Sequence, residues 1–156
     1  MPTSVSRSQG ANIVSFLQAR LRQTLARGEC WDAAEAAISS VAARRPNPSQ
    51  LYVWGTVVLP AAIQPGDVLQ FSNFVSTVTV TSATSVDSTE IMLGTPRHTA
   101  IVSAVNIDGS VNLLHQNFMD DRFVTTLPNV FLRGVTQGAT TVAINGSVTC
   151  YRPLIP

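Results

Sequence analysis

At Arg44-Arg45-Pro46-Asn47-Pro48 the residue pattern changes period, and this constrains the fold more than any other feature of the chain. Upstream, Ile13, Val14, Leu17, Leu21 and Leu25 recur at helical spacing, predicting a helix over 11–26 that Gly28 ends. A second helix is predicted over 30–43, where alanines, Ile38 and Val41 suit close packing. The prolines stop it, and Arg44 and Arg45 complement the helix dipole. Downstream, β-branched and aromatic residues take over. Strands are predicted over 51–59, 68–71, 74–82, 98–106, 111–117, 121–127 and 140–152. A turn is read at Ile63–Asp67, a polar loop at 82–88, and an Asn145-Gly146 hairpin inside the last strand. Helices followed by antiparallel strands make an α+β fold, with the helices packed on one face of a curled sheet.

The 156 residues, 45% of them hydrophobic, suffice for one domain with its own core. The expected division is a loose, polar arm over 1–10 and a single domain over 11–156. No apolar run has the length of a membrane span, and no basic-then-apolar leader pattern is present. A soluble protein is therefore expected, cytoplasmic or delivered by a signal-less route. A net charge of +1 with 12% charged residues leaves no electrostatic footprint for nucleic acid or an anionic membrane. Two cysteines are too few for a disulfide framework. Cys150, in the alternating run Ser147–Tyr151, reads as a small buried hydrophobe. Neither the cysteines nor the histidines have metal-ligand spacing, so no metal and no cofactor is expected.

The chemistry-bearing residues are few. Cys30 lies in Gly28-Glu29-Cys30-Trp31-Asp32, and the only histidines are His98 and His115. A cysteine attacks as thiolate, and the N–H groups of a helix's first turn favour that form. The Cys30 backbone N–H is also placed to help bind an oxyanion. Glu29 and Asp32 oppose the thiolate by charge, so a nearby imidazole is required. His98 opens the apolar strand that Asp108-Gly109, read as a two-residue hairpin turn, joins to the next. With Ile107 opposite Ser110, His98 faces Met119, Ala100 faces Asn117 and Val102 faces His115. His98, Asn117 and His115 then share one face. Asn117 is the nearer to His98 and the better orienting partner; His115 is the alternative. A one-residue change of register would bring Gln116 to that face instead.

Four blocks together resemble the CHAP and NlpC-type branch of papain-like cysteine hydrolases. They are Gly28–Asp32, Pro65-Gly66-Asp67-Val68-Leu69-Gln70-Phe71, His98–Val102 and His115-Gln116-Asn117. The resemblance implies a small papain-like core with Cys30 as nucleophile, His98 as general base and Asn117 as the polar third residue. His115 falls where CHAP members often carry glutamate, and could match the third histidine of some NlpC-type members. The implied reaction is hydrolysis of an amide through an acyl-enzyme, with cell-wall peptide as the default substrate of a lytic or effector enzyme. An inhibitor or immunity protein would be a partner of such an effector. Gln23 is the nearest upstream amide that could supply a second oxyanion donor. The alternatives are a deamidase or acyltransferase using the same thiol on a protein or lipid, and a papain-like fold retained for binding or assembly.

Overall fold

In the computed structural model, which describes residues 1–156, Ser6 starts the first helix ahead of the predicted position. Its hydroxyl accepts from the Gln9 N–H at 3.1 Å, while Gln9 Oε1 accepts from the Ser6 N–H at 2.8 Å. This capping box is invisible to a reading of apolar spacing. Helix α1 spans Arg7–Gln18, and Arg22, Ala26 and Gly28, all at positive φ, turn the chain where the helix had been expected to continue. The arm expected over 1–10 is instead structured: Thr3–Ser4 form strand β1, paired with the C-terminal residues Leu154–Ile155. Helix α2 spans Cys30–Ser39. It stops short of residue 43 because Ala42 adopts φ 58° and the Ala43 N–H turns back to Ile38 O at 3.1 Å.

The remaining strands are β2 (Thr56–Val58), β3 (Val68–Thr81), β4 (Val86–Val105), β5 (Val111–His115), β6 (Thr125–Val130), β7 (Val135–Gln137), β8 (Thr140–Arg152) and β9 (Leu154–Ile155). The main sheet is antiparallel in the order β2–β8–β3–β4–β5–β6, with β7 added on β8. Of the expected first strand only Thr56–Val58 forms. The expected polar loop shrinks to a turn at Ser82–Ser85, because Val86–Met92, with Ser88 and Thr89 among them, continue β4 against β3. Asn145-Gly146 is not a hairpin turn. β8 runs through it with a register shift opposite Asn73, and Gly146, at φ 76°, lies so close to the Asn73 carbonyl that a side chain has no room.

Alternation along the strands divides the core in two. Val68, Ile101 and Leu114 meet Ile13, Leu17, Ala37 and Ile38 of the helices. Leu69, Phe71, Ala100, Val102 and Leu113 build the opposite face. Full burial of each such side chain is worth roughly 1.5–3 kcal/mol. A mostly apolar cavity of about 520 Å³ opens on that second face, and Cys150 lines it. No helix is long and apolar enough to cross a membrane.

The β4–β5 junction departs from the expected hairpin in a way that matters for the site. The Asn106 N–H donates to Ser110 O at 2.8 Å, so the loop holds three residues, with Gly109 at φ 88°. A second slip follows between Val102 and Ala104. Val102 therefore pairs with Leu113 and Ile101 with Leu114, not Val102 with His115. The two one-residue shifts preserve facing parity and carry His115 one pair closer to His98.

Candidate active site

Cys30 is the first residue of α2, and its backbone N–H has no acceptor within the helix. The turn before it is tied down from two sides. Asp32, buried, accepts from the Arg27 and Glu29 N–H groups at 3.1 and 3.3 Å and from the Arg27 guanidinium at 2.9 Å. Its charge is thereby committed locally. Gln116, fully buried at the end of β5, accepts from the Leu25 N–H at 2.8 Å and donates to the carbonyls of Leu25 (3.1 Å) and Glu29 (2.9 Å). Gln116 points to the helix side of the sheet and holds the loop that presents Cys30.

His98 is buried on β4, and its Nε2 lies 2.8 Å from Nδ1 of His115 on β5. Phe118 stacks on the His115 ring at 4.9 Å between centroids. His98 Nδ1 has no partner within the protein and is not among the sealed, unpartnered atoms, so it is open to solvent. A cavity of about 370 Å³ is lined by both Cys30 and His98, with Asn117, Phe118 and Met119 around it.

Asn117 was expected to accept from the imidazole, and it does not. The chain leaves β5 after His115, Asn117 takes φ 59°, and its Nδ2 donates to Glu29 Oε2 at 3.1 Å. Arg122 reaches the other Glu29 oxygen at 2.7 Å. His115 is the residue that meets the His98 ring. Gln23 lies outside α1, exposed, in a turn where its carbonyl accepts from the Val124 N–H at 2.9 Å, and it lines neither cavity at Cys30.

Burial governs the charge states. It pushes the Cys30 thiol above its ordinary range, against opposing hydrogen bonds from Thr99 and the Trp31 backbone; Glu29 adds a further upward push. The Thr99 hydroxyl donates to Gln70 Oε1 at 2.7 Å. Gln70 Oε1 also accepts from Trp54 Nε1 at 3.0 Å, and Gln70 Nε2 donates to His98 O at 3.2 Å. This buried chain of Trp54, Gln70 and Thr99 sets the strand beneath Cys30. Sequence reasoning passed over it, although Gln70 stands as the one amide inside the apolar run Val68–Phe71. Desolvation lowers His98 to about 4 and His115 to about 3, the latter also through its neighbour His98. Thiol and imidazoles are all neutral at rest near pH 7.

The tautomers follow from the geometry. For His98 Nδ1 to take a proton, His98 Nε2–H must donate to His115 Nδ1, which leaves the His115 proton on Nε2. That nitrogen is buried without a partner. A stranded donor of this kind costs about 1–3 kcal/mol. Cys150 is placed as a structural residue: it is buried, unpaired with Cys30, and pushed up to about 12 by burial and by Asp67. No group of three or more histidine, cysteine or acidic side chains is placed to hold a metal ion.

Compared with known proteins, the chain matches a family model described as the AIM3/BBC1 Cysteine proteinase-fold domain, over residues 3–142. No curated protein and no solved structure matches it.

Proposed function

This chain belongs to the AIM3/BBC1 cysteine proteinase-fold domain family, and from that premise we propose that it is a papain-like cysteine hydrolase acting on amide bonds. The observation that carries the reading is the 2.8 Å His98–His115 contact behind a cavity that Cys30 also lines. Cys30 attacks the carbonyl carbon while its proton passes to His98 Nδ1, and His115 Nδ1 accepts from His98 Nε2–H as the ring becomes cationic. The free N–H of Cys30 faces the developing oxyanion. His98 then protonates the leaving amine as the C–N bond breaks. A water deprotonated by His98 cleaves the thioester and restores the thiol.

The four sequence blocks support a cell-wall peptide as the first substrate to try. The family match supports the cysteine proteinase fold without singling out that branch. The experiment incubates the protein with purified peptidoglycan and with a mixed peptide library, and follows new amines. Release by wild type, lost in Cys30→Ala and His98→Ala, is expected. No release from either substrate, where iodoacetamide still reaches Cys30, overturns the reading.

A second reading, a papain-like fold kept for binding, draws on the neutral resting pair: burial raises the thiol and lowers both imidazoles. Iodoacetamide labelling separates the two. A hydrolase predicts Cys30 alkylation at neutral pH that slows in His98→Ala; a binding fold predicts the same rate in both.

A further inference from the structure

Cys30 sits at the meeting point of two cavities. One is the cavity of about 370 Å³ shared with His98; the other, of about 350 Å³, is lined by Trp31, Leu51, Tyr52 and Thr99. Glu29, Cys30 and Arg97 line both. Arg97 is the one cationic side chain that lines both approaches to the thiol.

Arg97 is held but unspent. Its guanidinium lies 4.4 Å over the Tyr52 ring, which limits its motion, yet it makes no ion pair and no side-chain hydrogen bond. The other charges of the Tyr52 cavity are satisfied: Arg27 by Asp32 at 2.9 Å, and Glu29 by Arg122 at 2.7 Å. A guanidinium keeps its charge at every working pH and presents paired donors that fit a carboxylate. In the His98 cavity the unpaired acidic side chain is Asp120, with Met92, Phe118 and Met119. Arg97 borders both cavities, but its guanidinium lies on Tyr52, which lines only the second of them.

We infer that the substrate carries a carboxylate that docks on Arg97 in the Tyr52 cavity, beside the carbonyl that Cys30 attacks; this rests on the hydrolase reading above. One guanidinium with no second free cation beside it matches a singly charged carboxylate better than a phosphate dianion. The group on the other side of the scissile bond runs toward Met92, Phe118 and Asp120, and is apolar or cationic.

The test compares alkylation of Cys30 by iodoacetate, which bears a carboxylate, with alkylation by iodoacetamide, which does not, located by peptide mapping. The ratio of the two rates cancels any change in thiol reactivity. Arg97→Gln should lower that ratio about fivefold at low salt, the size of a single surface charge–charge interaction, and Arg97→Lys should retain most of it. Raising ionic strength should shrink the wild-type ratio toward the Arg97→Gln value. A ratio unchanged in Arg97→Gln overturns the carboxylate site, whatever the absolute rates. An iodoacetamide rate unaltered by His98→Ala overturns the hydrolase reading separately. Since Arg97 is exposed, loss of folding does not confound the comparison.

Discussion

The His98 Nε2 to His115 Nδ1 contact at 2.8 Å couples two buried imidazoles that cannot both be charged. One ring faces the cavity and the other backs it, so proton placement on the first is set by the second. His115 has one nitrogen for this task, and its other nitrogen is sealed without a partner. The pair is therefore a positioning device that costs stability and is sensitive to pH.

The pH dependence follows from the sign of the shifts. Free histidine takes a proton near 6.5, whereas burial holds His98 at about 4 and His115 at about 3. The unfolded chain binds those protons first as pH falls. Stability is fully present above about pH 6.5 and declines down to about pH 4, by on the order of 3 kcal/mol through His98 alone. Urea unfolding across pH 7.5 to 4.5 should show this slope, and His115→Phe should flatten it. Parallel curves for the two proteins would contradict the assignment.

Replacing His115 also tests the partner of the His98 ring. His115→Phe keeps the packing on Phe118 but strands His98 Nε2–H, and should slow amide hydrolysis at least tenfold. His115→Asn, which restores an acceptor, should recover part of the rate. Asn117→Ala removes a hydrogen bond to Glu29 and none to the imidazoles, and should lower activity less than His115→Phe. The reverse ranking, measured as kcat/KM, returns Asn117 to the third position.

Gln70 should be expensive to lose. Gln70→Leu leaves the Trp54 N–H and the Thr99 hydroxyl without their acceptor in a buried setting. The expected destabilisation is about 2–5 kcal/mol, read by denaturant unfolding. Thr99→Val removes one partner instead of stranding two, and should cost less. A loss below about 1 kcal/mol for Gln70→Leu would mean that the chain of hydrogen bonds carries no load.

Gln116→Met conserves volume and removes three hydrogen bonds that hold the turn before Cys30. Amide exchange at Leu25 and Gly28 should speed up well before global unfolding, and Cys30 alkylation should change with it. Unaltered protection at Leu25 would show that Asp32 alone fixes the turn.

The α+β class, the start of α2 at Cys30 and the shared face of His98 and His115 were legible because each depends on local period. The start of the first helix is not legible in apolar spacing because its signal is a capping box at Ser6 and Gln9, outside the apolar stripe. The first half of β4, over 86–97, carries no strand signal of its own because it is mostly exposed and polar residues stand where a buried strand carries valine. Asn117 falls away from the His98 ring because the chain leaves β5 after His115 and Asn117 takes φ 59°, while the three-residue loop and the slip after Val102 bring His115 nearer to His98.

Side-chain parity is unaffected, since two one-residue slips cancel on a period of two, and the pattern of β4 and β5 encodes that period directly. What only the tertiary structure decided is which groups touch and which charges they hold. His115 meets His98, Asn117 meets Glu29, Gln70 meets Thr99, and the thiol and both rings are neutral. Bonding partners depend on the summed offsets of every loop and bulge, and ionisation on how much water the packed elements exclude. Neither quantity is local, so neither is written in the residues around Cys30.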